Sequence, residues 1–331
     1  MKLPTLADVA ERAGVSAKTV SNVILGRPHV AVATRERVEQ AVRDLGYQAN
    51  PAGRGLTSGR TGRIAVVIPK LYQPYFAEIA ERLILALGAR GWATTLRVAP
   101  DAQSERDAVM GVTTSDTDGV VICPQHLTPE AMDQRPPRPV VQVGGRPVGL
   151  IDAVVMGERE GFEAVTRHVL ESGRRRIAML ASGRPHARPG GERYDGLEQA
   201  MAAYGLTIDP RLVVFGSDWD RRISGYEAMT GLLQTGRPFD AAICINDAVA
   251  IGALRALRMH GARVPEDVAL TGFDDTEEGR YTTPSLTSVS PEQEQMVEHA
   301  VQMLHERLHG HQGAARQVRT GAHLVPRGST G

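Results

Sequence analysis

The sequence has only two cysteines, Cys123 and Cys244, in 331 residues. Two cannot build a disulfide framework, and the pattern points to a reducing compartment. No stretch approaches the roughly 20 consecutive apolar residues that a membrane helix requires. The start, Met1-Lys2-Leu3-Pro4-Thr5, lacks the apolar centre of a secretory signal and turns polar at Asp8 and Glu11. No glycine loop followed by lysine suggests phosphate cradling, and no nucleophile elbow is found. Neither sign of charge prevails, because 38 basic side chains face 38 acidic ones. What is present is 42% hydrophobic and 23% charged residues, enough for buried cores and too ordered a mixture for bulk disorder. The expectation is a soluble cytoplasmic protein of two or three domains, with no membrane partner and no cofactor.

The neutral total hides an asymmetry. Residues 1–63 hold ten Lys/Arg and five Asp/Glu, a net +5, so the remaining 268 residues carry −5. A small basic head on an acidic body suits a polyanion partner for the head, although a solvated charge fluctuation would give the same count. The head reads as three short helices. Leu6–Ala13 places Leu6, Val9, Ala10 and Ala13 on one face, and Ala17–Ile24 presents Val20, Val23 and Ile24. A third helix runs from about Val32 to Leu45 and stops at Gly46. Residues 50–59 form a linker by composition, Asn-Pro-Ala-Gly-Arg-Gly-Leu-Thr-Ser-Gly.

From Arg63 the rhythm changes to apolar runs of strand length alternating with amphipathic helices. The runs are Ile64–Pro69, Thr94–Val98, Gly119–Cys123 and Val140–Val143, then Arg176–Ala181, Leu212–Phe215, Ala241–Ile245 and Val268–Gly272. Repeated βα units imply parallel sheets covered by helices on both faces, and two series imply two similar lobes with a cleft between them. Ligands in such sheets sit at the carboxyl ends of the strands. After Ser290 the sequence reads as one helix, about Pro291–Leu308, and a short tail.

Two short helices joined by Gly14-Val15-Ser16 fit a helix-turn-helix, with Gly14 at the sharp reversal and Ser16 as an N-cap. The outward residues of the second helix are Ala17, Lys18, Ser21 and Asn22. Lys18 suits guanine O6/N7 and Asn22 suits adenine N6/N7, while Ser16, Thr19 and Ser21 suit phosphate oxygens. A generic three-helix module would share the same pattern.

Thr5-Leu6-Ala7-Asp8-Val9-Ala10, Ala13-Gly14-Val15-Ser16 and Thr19-Val20-Ser21 resemble the head of the lactose-repressor (LacI) family of bacterial transcription regulators. The resemblance continues through Thr34-Arg35-Glu36-Arg37-Val38 and Leu45-Gly46-Tyr47-Gln48-Ala49-Asn50-Pro51. In the body it includes Gln73-Pro74-Tyr75-Phe76, Gly173-Arg174-Arg175-Arg176-Ile177-Ala178, Ile245-Asn246-Asp247, Val264-Pro265-Glu266-Asp267 and Gly272-Phe273-Asp274-Asp275. It implies an all-α DNA-binding domain at 1–49, a hinge at 50–62 and an effector-binding and dimerisation domain at 63–331. The last would have two Rossmann-like lobes of the periplasmic-binding-protein type, one of about 63–157 and 291–318, the other of about 158–290 and 319–331.

The resemblance also implies a homodimer on a near-palindromic operator in double-stranded DNA. DNA contacts are expected from Thr5, Leu6, Ser16, Ala17, Lys18, Thr19, Ser21, Asn22 and His29. In the hinge they are expected from Asn50, Arg54 and Leu56, with Leu56 wedged into the minor groove unless it packs back on the body. Effector contacts are expected from Tyr75, Phe76, Arg193, Trp219, Asn246 and Asp274, in a cleft suited to a sugar or, alternatively, a nucleobase. The ordinary readings are that Asp274 caps a turn, Trp219 is core and Arg193 is an ion-pair partner. With no leucine heptad after Ser290, a dimer is expected rather than a tetramer. The function implied is a repressor of carbohydrate uptake or catabolism genes, and not an enzyme. A cytosolic sugar-binding protein on the same lobes is the rival that the head argues against.

Several positions depart from the family pattern. Asn22 stands where arginine is frequent, Leu25 where asparagine is usual, and Ala31 where a serine would cap the third helix. Gly144-Gly145 follows the fourth strand, where Asp or Asn is common. His305-Glu306-Arg307-Leu308-His309 matches a zinc-protease spacing, but no acidic residue follows to complete a ligand set, so no metal site is expected. Leu324-Val325-Pro326-Arg327-Gly328-Ser329 resembles an engineered protease site and also the family's own ending, and is read as native. In the hinge, Gly53 and Gly55 each cost up to about 1 kcal/mol once helical. Gly53→Ala is therefore predicted to tighten operator binding at fixed salt. An unchanged or weaker dissociation constant by gel shift contradicts this.

Overall fold

The computed structural model describes residues 4–24, 27–47, 60–181, 191–216 and 218–331. The chain divides into two compact units, Met1–Gly62 and Arg63–Gly331.

The first unit holds α1 (Leu6–Ala13), α2 (Ala17–Ile24) and α3 (Val32–Leu45), with the bounds the apolar spacing predicts. Val9, Ala10, Ala13, Val20, Val23, Val38 and Ala41 are buried together as its core. Thr5 starts α1 with a capping box: its Oγ1 accepts from Asp8 N at 3.4 Å, and Asp8 Oδ2 accepts from Thr5 N at 2.7 Å. Gly14 ends α1 at φ 64°, a left-handed conformation that glycine adopts without a Cβ clash. Ser16 Oγ accepts from Thr19 N at 3.1 Å at the start of α2. Ala31 precedes α3 with no side-chain cap, as its methyl group dictates.

The second unit begins with β1 (Arg63–Ile68), α4 (Pro74–Ala89), β2 (Ala93–Val98), α5 (Ala102–Val109), β3 (Gly119–Ile122), β4 (Val140–Val143) and β5 (Asp152–Val155). The chain continues through α6 (Glu158–Glu171), β6 (Ile177–Ala181), α7 (Glu192–Ala203), β7 (Val213–Phe215), α8 (Arg222–Gln234) and β8 (Ala241–Cys244). It then forms α9 (Asp247–Met259), β9 (Ala269–Thr271), α10 (Glu277–Arg280) and β10 (Ser288–Ser290). The remaining elements are α11 (Gln293–Leu308), β11 (Gln317–Arg319) and β12 (His323–Val325).

One sheet is wholly parallel, in the order β11-β5-β4-β3-β1-β2. The other parallel sheet is β7-β6-β8-β9, and β10 pairs with β12 antiparallel beside it. The strands β3, β4, β6 and β8 are buried along their whole length, which explains their apolar sequences, broken only by Gln142 in β4. The chain passes between the two sheets three times, after β5, after β10 and after β11. The order of each sheet reverses next to its first strand, between β1 and β3 and between β6 and β8. These are the switch points outside whose carboxyl ends a crevice opens.

Close packing fixes the second lobe. A Cβ on Gly225 would lie 2.0 Å from the Val249 carbonyl oxygen, and one on Gly252 would lie 1.8 Å from that of Arg222, so α8 and α9 touch backbone to backbone. The short tail expected after the last helix carries strands of its own. Its two three-residue strands extend the first sheet and pair with β10, and they are too short to show a period of two. Arg327 binds Asp275, and Ser329 Oγ donates to the Leu270 carbonyl at 2.6 Å, so the Leu324–Ser329 segment is woven into the second lobe.

A buried ion cluster ties the end of α11 to β5. Asp152 accepts from Arg307 Nη2 at 2.7 Å and Nε at 3.0 Å, and from Arg316 N and Nη2 at 2.8 Å each. Burial pushes its carboxyl pKa up, but the two guanidinium groups prevail and bring it down to about 2. A depressed carboxylate stabilises the fold above its ordinary pKa near 3.8, and that contribution disappears as pH falls towards 2. Asp152→Ala is predicted to lower the unfolding free energy at pH 7 by about 3 kcal/mol and to flatten the acid limb between pH 4 and 2. Urea unfolding at several pH values checks both, and an unaltered acid limb contradicts the assignment.

Candidate DNA-binding and effector-binding sites

On α2, Ala17 and Lys18 are exposed, Thr19, Ser21 and Asn22 are half-buried, and Val20 and Val23 point into the head's core. Lys18, Ser21 and Asn22 thus lie away from the apolar stripe, as the spacing requires. Thr5 and Ser16 are exposed but already act as caps, and Ser16 Oγ lies 2.9 Å from Thr19 Oγ1. Leu6 packs partly on the head's core, and His29 is exposed in the segment between α2 and α3. Asn50, Arg54 and Leu56 lie outside the described residues, as does most of the expected hinge.

The body holds a cavity of about 220 Å³ at the carboxyl ends of both sheets. Gln73, Tyr75 and Phe76 line it from the segment after β1, with Pro124 and Gln125 after β3 and Gly144 and Gly145 after β4. Met156 and Glu158 come from the first crossing; Arg193, Trp219, Ile245 and Asp274 come from the second lobe. Five of the six expected effector residues therefore meet in one place. Gln73 starts α4, its Oε1 accepting from Phe76 N at 3.1 Å, and Pro74 occupies the first turn, so Tyr75 and Phe76 are presented by a capped helix end. Their rings meet edge-on at 5.2 Å. The Tyr75 hydroxyl is buried against Gly144 without a hydrogen-bond partner among the described residues.

Arg193 is fully engaged. Its Nε and Nη2 donate to Glu158 Oε1 at 3.0 and 2.9 Å, its Nη1 donates to the Ile245 carbonyl, and its Cζ stands 4.4 Å from the Phe273 ring centre. Asp274 is buried at φ 105°, a left-handed strain that non-glycine residues adopt mainly where surroundings enforce it. Burial pushes its carboxyl pKa well up, opposed by the nearby Arg193 charge.

Asn246 does not line the cavity. It is fully buried, its Oδ1 caps α9 by accepting from Val249 N at 2.9 Å, and its Nδ2 donates to the Trp219 carbonyl at 3.1 Å. A polar residue ending a strand reads equally as ligand or cap, and here both polar atoms serve the backbone. Gln73, Gln125 and Glu158 line the cavity without having been singled out. Glu158 begins α6, Gln73 opens the Gln73-Pro74-Tyr75-Phe76 stretch, and Gln125 carries no sequence pattern.

Of the remaining motifs, His305 and His309 stack at 4.1 Å, while Glu306 binds Arg316. The described residues include no group of three or more His, Cys, Asp or Glu placed to hold a metal. Cys123 and Cys244 are buried, and burial pushes the Cys123 thiol up to about 12. No helix among the described residues is long and apolar enough to cross a membrane.

The Thr5 cap yields a direct check. Thr5→Ala is predicted to cost the head about 1 kcal/mol, read as faster amide exchange in α1 of the whole chain with body amides unchanged. Equal exchange in α1 contradicts the cap.

Residues 5–50 match the model of the bacterial regulatory proteins of the lacI family, and residues 166–330 match the periplasmic binding protein-like domain. The HTH-type transcriptional regulator CelR of Thermobifida fusca is 34% identical over 98% of each chain. Among solved structures, a LacI-family regulator from Sanguibacter keddieii is 37% identical with a TM-score of 0.76, covering 82% of this chain and 100% of its own. A CelR–cellobiose complex is 32% identical with a TM-score of 0.71, covering 98% and 99%. With a helix-turn-helix head, two parallel-sheet lobes around a cavity and these relatives, the chain belongs to the LacI family of bacterial transcriptional regulators.

Proposed function

We propose that the chain is a cytoplasmic repressor of carbohydrate-utilisation genes, without enzymatic activity, whose operator affinity is set by an uncharged sugar bound in the cavity. Lys18 and Asn22 on α2 would read the major groove, with Ser16, Thr19, Ser21, Thr5, Leu6, Ala17 and His29 against the backbone and groove walls. Asn50, Arg54 and Leu56 would engage the minor groove. Binding to phosphates through several basic side chains would weaken steeply with salt.

The observation that carries the effector reading is the charge inventory of the cavity. Among the described lining residues the carboxylate and cationic side chains are Glu158, Glu192, Arg193 and Asp274. Arg193 is matched by Glu158, and Glu192 by Arg319 at 2.6 and 2.8 Å. Among the described lining residues no uncommitted cation remains for a phosphate or carboxylate, whereas Trp219, Phe76 and Tyr75 offer flat apolar faces and Gln73, Gln125 and Asp274 offer polar edges. That combination suits the CH face and hydroxyls of a sugar. The solved relative bound to cellobiose supports the same class.

Pairing into a homodimer fits a near-palindromic operator.

The test is fluorescence anisotropy with promoter DNA at fixed salt, with and without cellobiose, glucose and glucose 6-phosphate. A neutral sugar is predicted to shift operator affinity while the phosphorylated sugar does not. Arg193→Ala is predicted to weaken sugar binding by about a hundredfold while operator binding without sugar persists. Lys18→Ala is predicted to do the converse. A response to the phosphorylated sugar alone contradicts the neutral-sugar reading.

A further inference from the structure

Trp219 reaches the cavity on the segment Asp218–Asp220, and the opposite lobe holds both ends of that segment. Lys70, just beyond β1, places Nζ against Asp220 Oδ2, with the oxygens of Asp218 at 3.4 and 3.5 Å. Gln125, just beyond β3, donates Nε2 to both oxygens of Asp220 at 3.0 and 3.1 Å. Asp220 is fully buried, and the side chains that donate to its carboxylate, among the described residues, belong to the first lobe.

Gln125 is itself held in place. The buried Glu105 carboxylate accepts the backbone N–H groups of Gln125, His126 and Leu127 at 2.7, 2.9 and 2.6 Å. A second strap runs alongside, where Arg221 Nε donates to the Tyr72 hydroxyl at 3.2 Å and its Cζ lies 4.8 Å from that ring's centre. Burial lowers the Lys70 pKa, but Asp220 and Asp218 outweigh it and keep the ammonium charged.

Opening the cleft would take Lys70 and Gln125 away from Asp220. A buried carboxylate stripped of its partners is strongly unfavourable unless water reaches it, so these contacts favour closure with or without a ligand. They also fix the position of Trp219, because its two neighbours in sequence are the gripped residues.

We propose that Lys70 and Gln125 are positioning residues of the effector site: from one lobe they clasp the acidic pair flanking Trp219 in the other, setting the indole against the cavity and favouring the closed lobes before effector arrives. The inference rests on reading the cavity as the effector site and adds what sets its resting state. The clasp raises effector affinity by reducing the share of open molecules that binding must convert.

The test uses the full chain carrying Trp92→Phe, which leaves Trp219 as the single tryptophan. Acrylamide quenching is measured without ligand. Lys70→Met is expected to raise the Stern–Volmer constant about twofold, Gln125→Ala to raise it less, and Lys70→Arg to stay near the parent. Cellobiose affinity by calorimetry is expected to fall about tenfold in Lys70→Met. Quenching equal to the parent in Lys70→Met and Gln125→Ala, with unchanged circular dichroism, overturns the clasp. If Lys70→Met does not fold, Gln125→Ala decides by the same criterion. Failure of cellobiose to bind the parent counts against the sugar reading, and the ligand-free quenching then judges the clasp by itself.

Discussion

One buried guanidinium organises the body. Arg193 joins Glu158, at the first crossing between lobes, to the Ile245 carbonyl at the end of β8 and to the Phe273 ring that precedes Asp274. A buried cation must be paired and fully hydrogen-bonded to be tolerated, so its partners are held in fixed relation to one another. The strained backbone of Asp274 persists within that frame. The floor of the cavity is consequently built before any ligand enters.

The same geometry makes the cavity suitable for control. Its walls come from both sheets, and the chain passes between those sheets three times, so a ligand there contacts surfaces that move relative to each other when the cleft opens. A ligand changes an equilibrium only to the extent that it binds the two arrangements differently, and a cavity shared between lobes supplies that difference. The contacts of Lys70 and Gln125 with Asp220 act on the same equilibrium from the rim.

Much of this was legible in the sequence because it depends on local rules. The three head helices follow from apolar spacing, Gly14 and Gly46. The βα alternation of the body follows from buried strands that are almost wholly apolar, and Arg193, Trp219 and Asp274 follow from the resemblance to the LacI family. What was not legible depends on distant partners. Asn246 has the composition of a ligand but the geometry of a cap. β10, β11 and β12 are three residues each and draw their stability from neighbouring strands rather than from a pattern of their own. Lys70 and Asp220 are 150 residues apart, and each alone reads as a solvated charge.

The central claim, that occupancy of the cleft and grip on DNA are one coupled equilibrium, is tested most directly by reciprocity. The affinity of the sugar that shifts operator binding is measured by calorimetry for the free protein and for the operator complex. The account predicts that the two affinities differ by the same factor by which that sugar changes operator affinity. Equal sugar affinities in the free and operator-bound protein would contradict it.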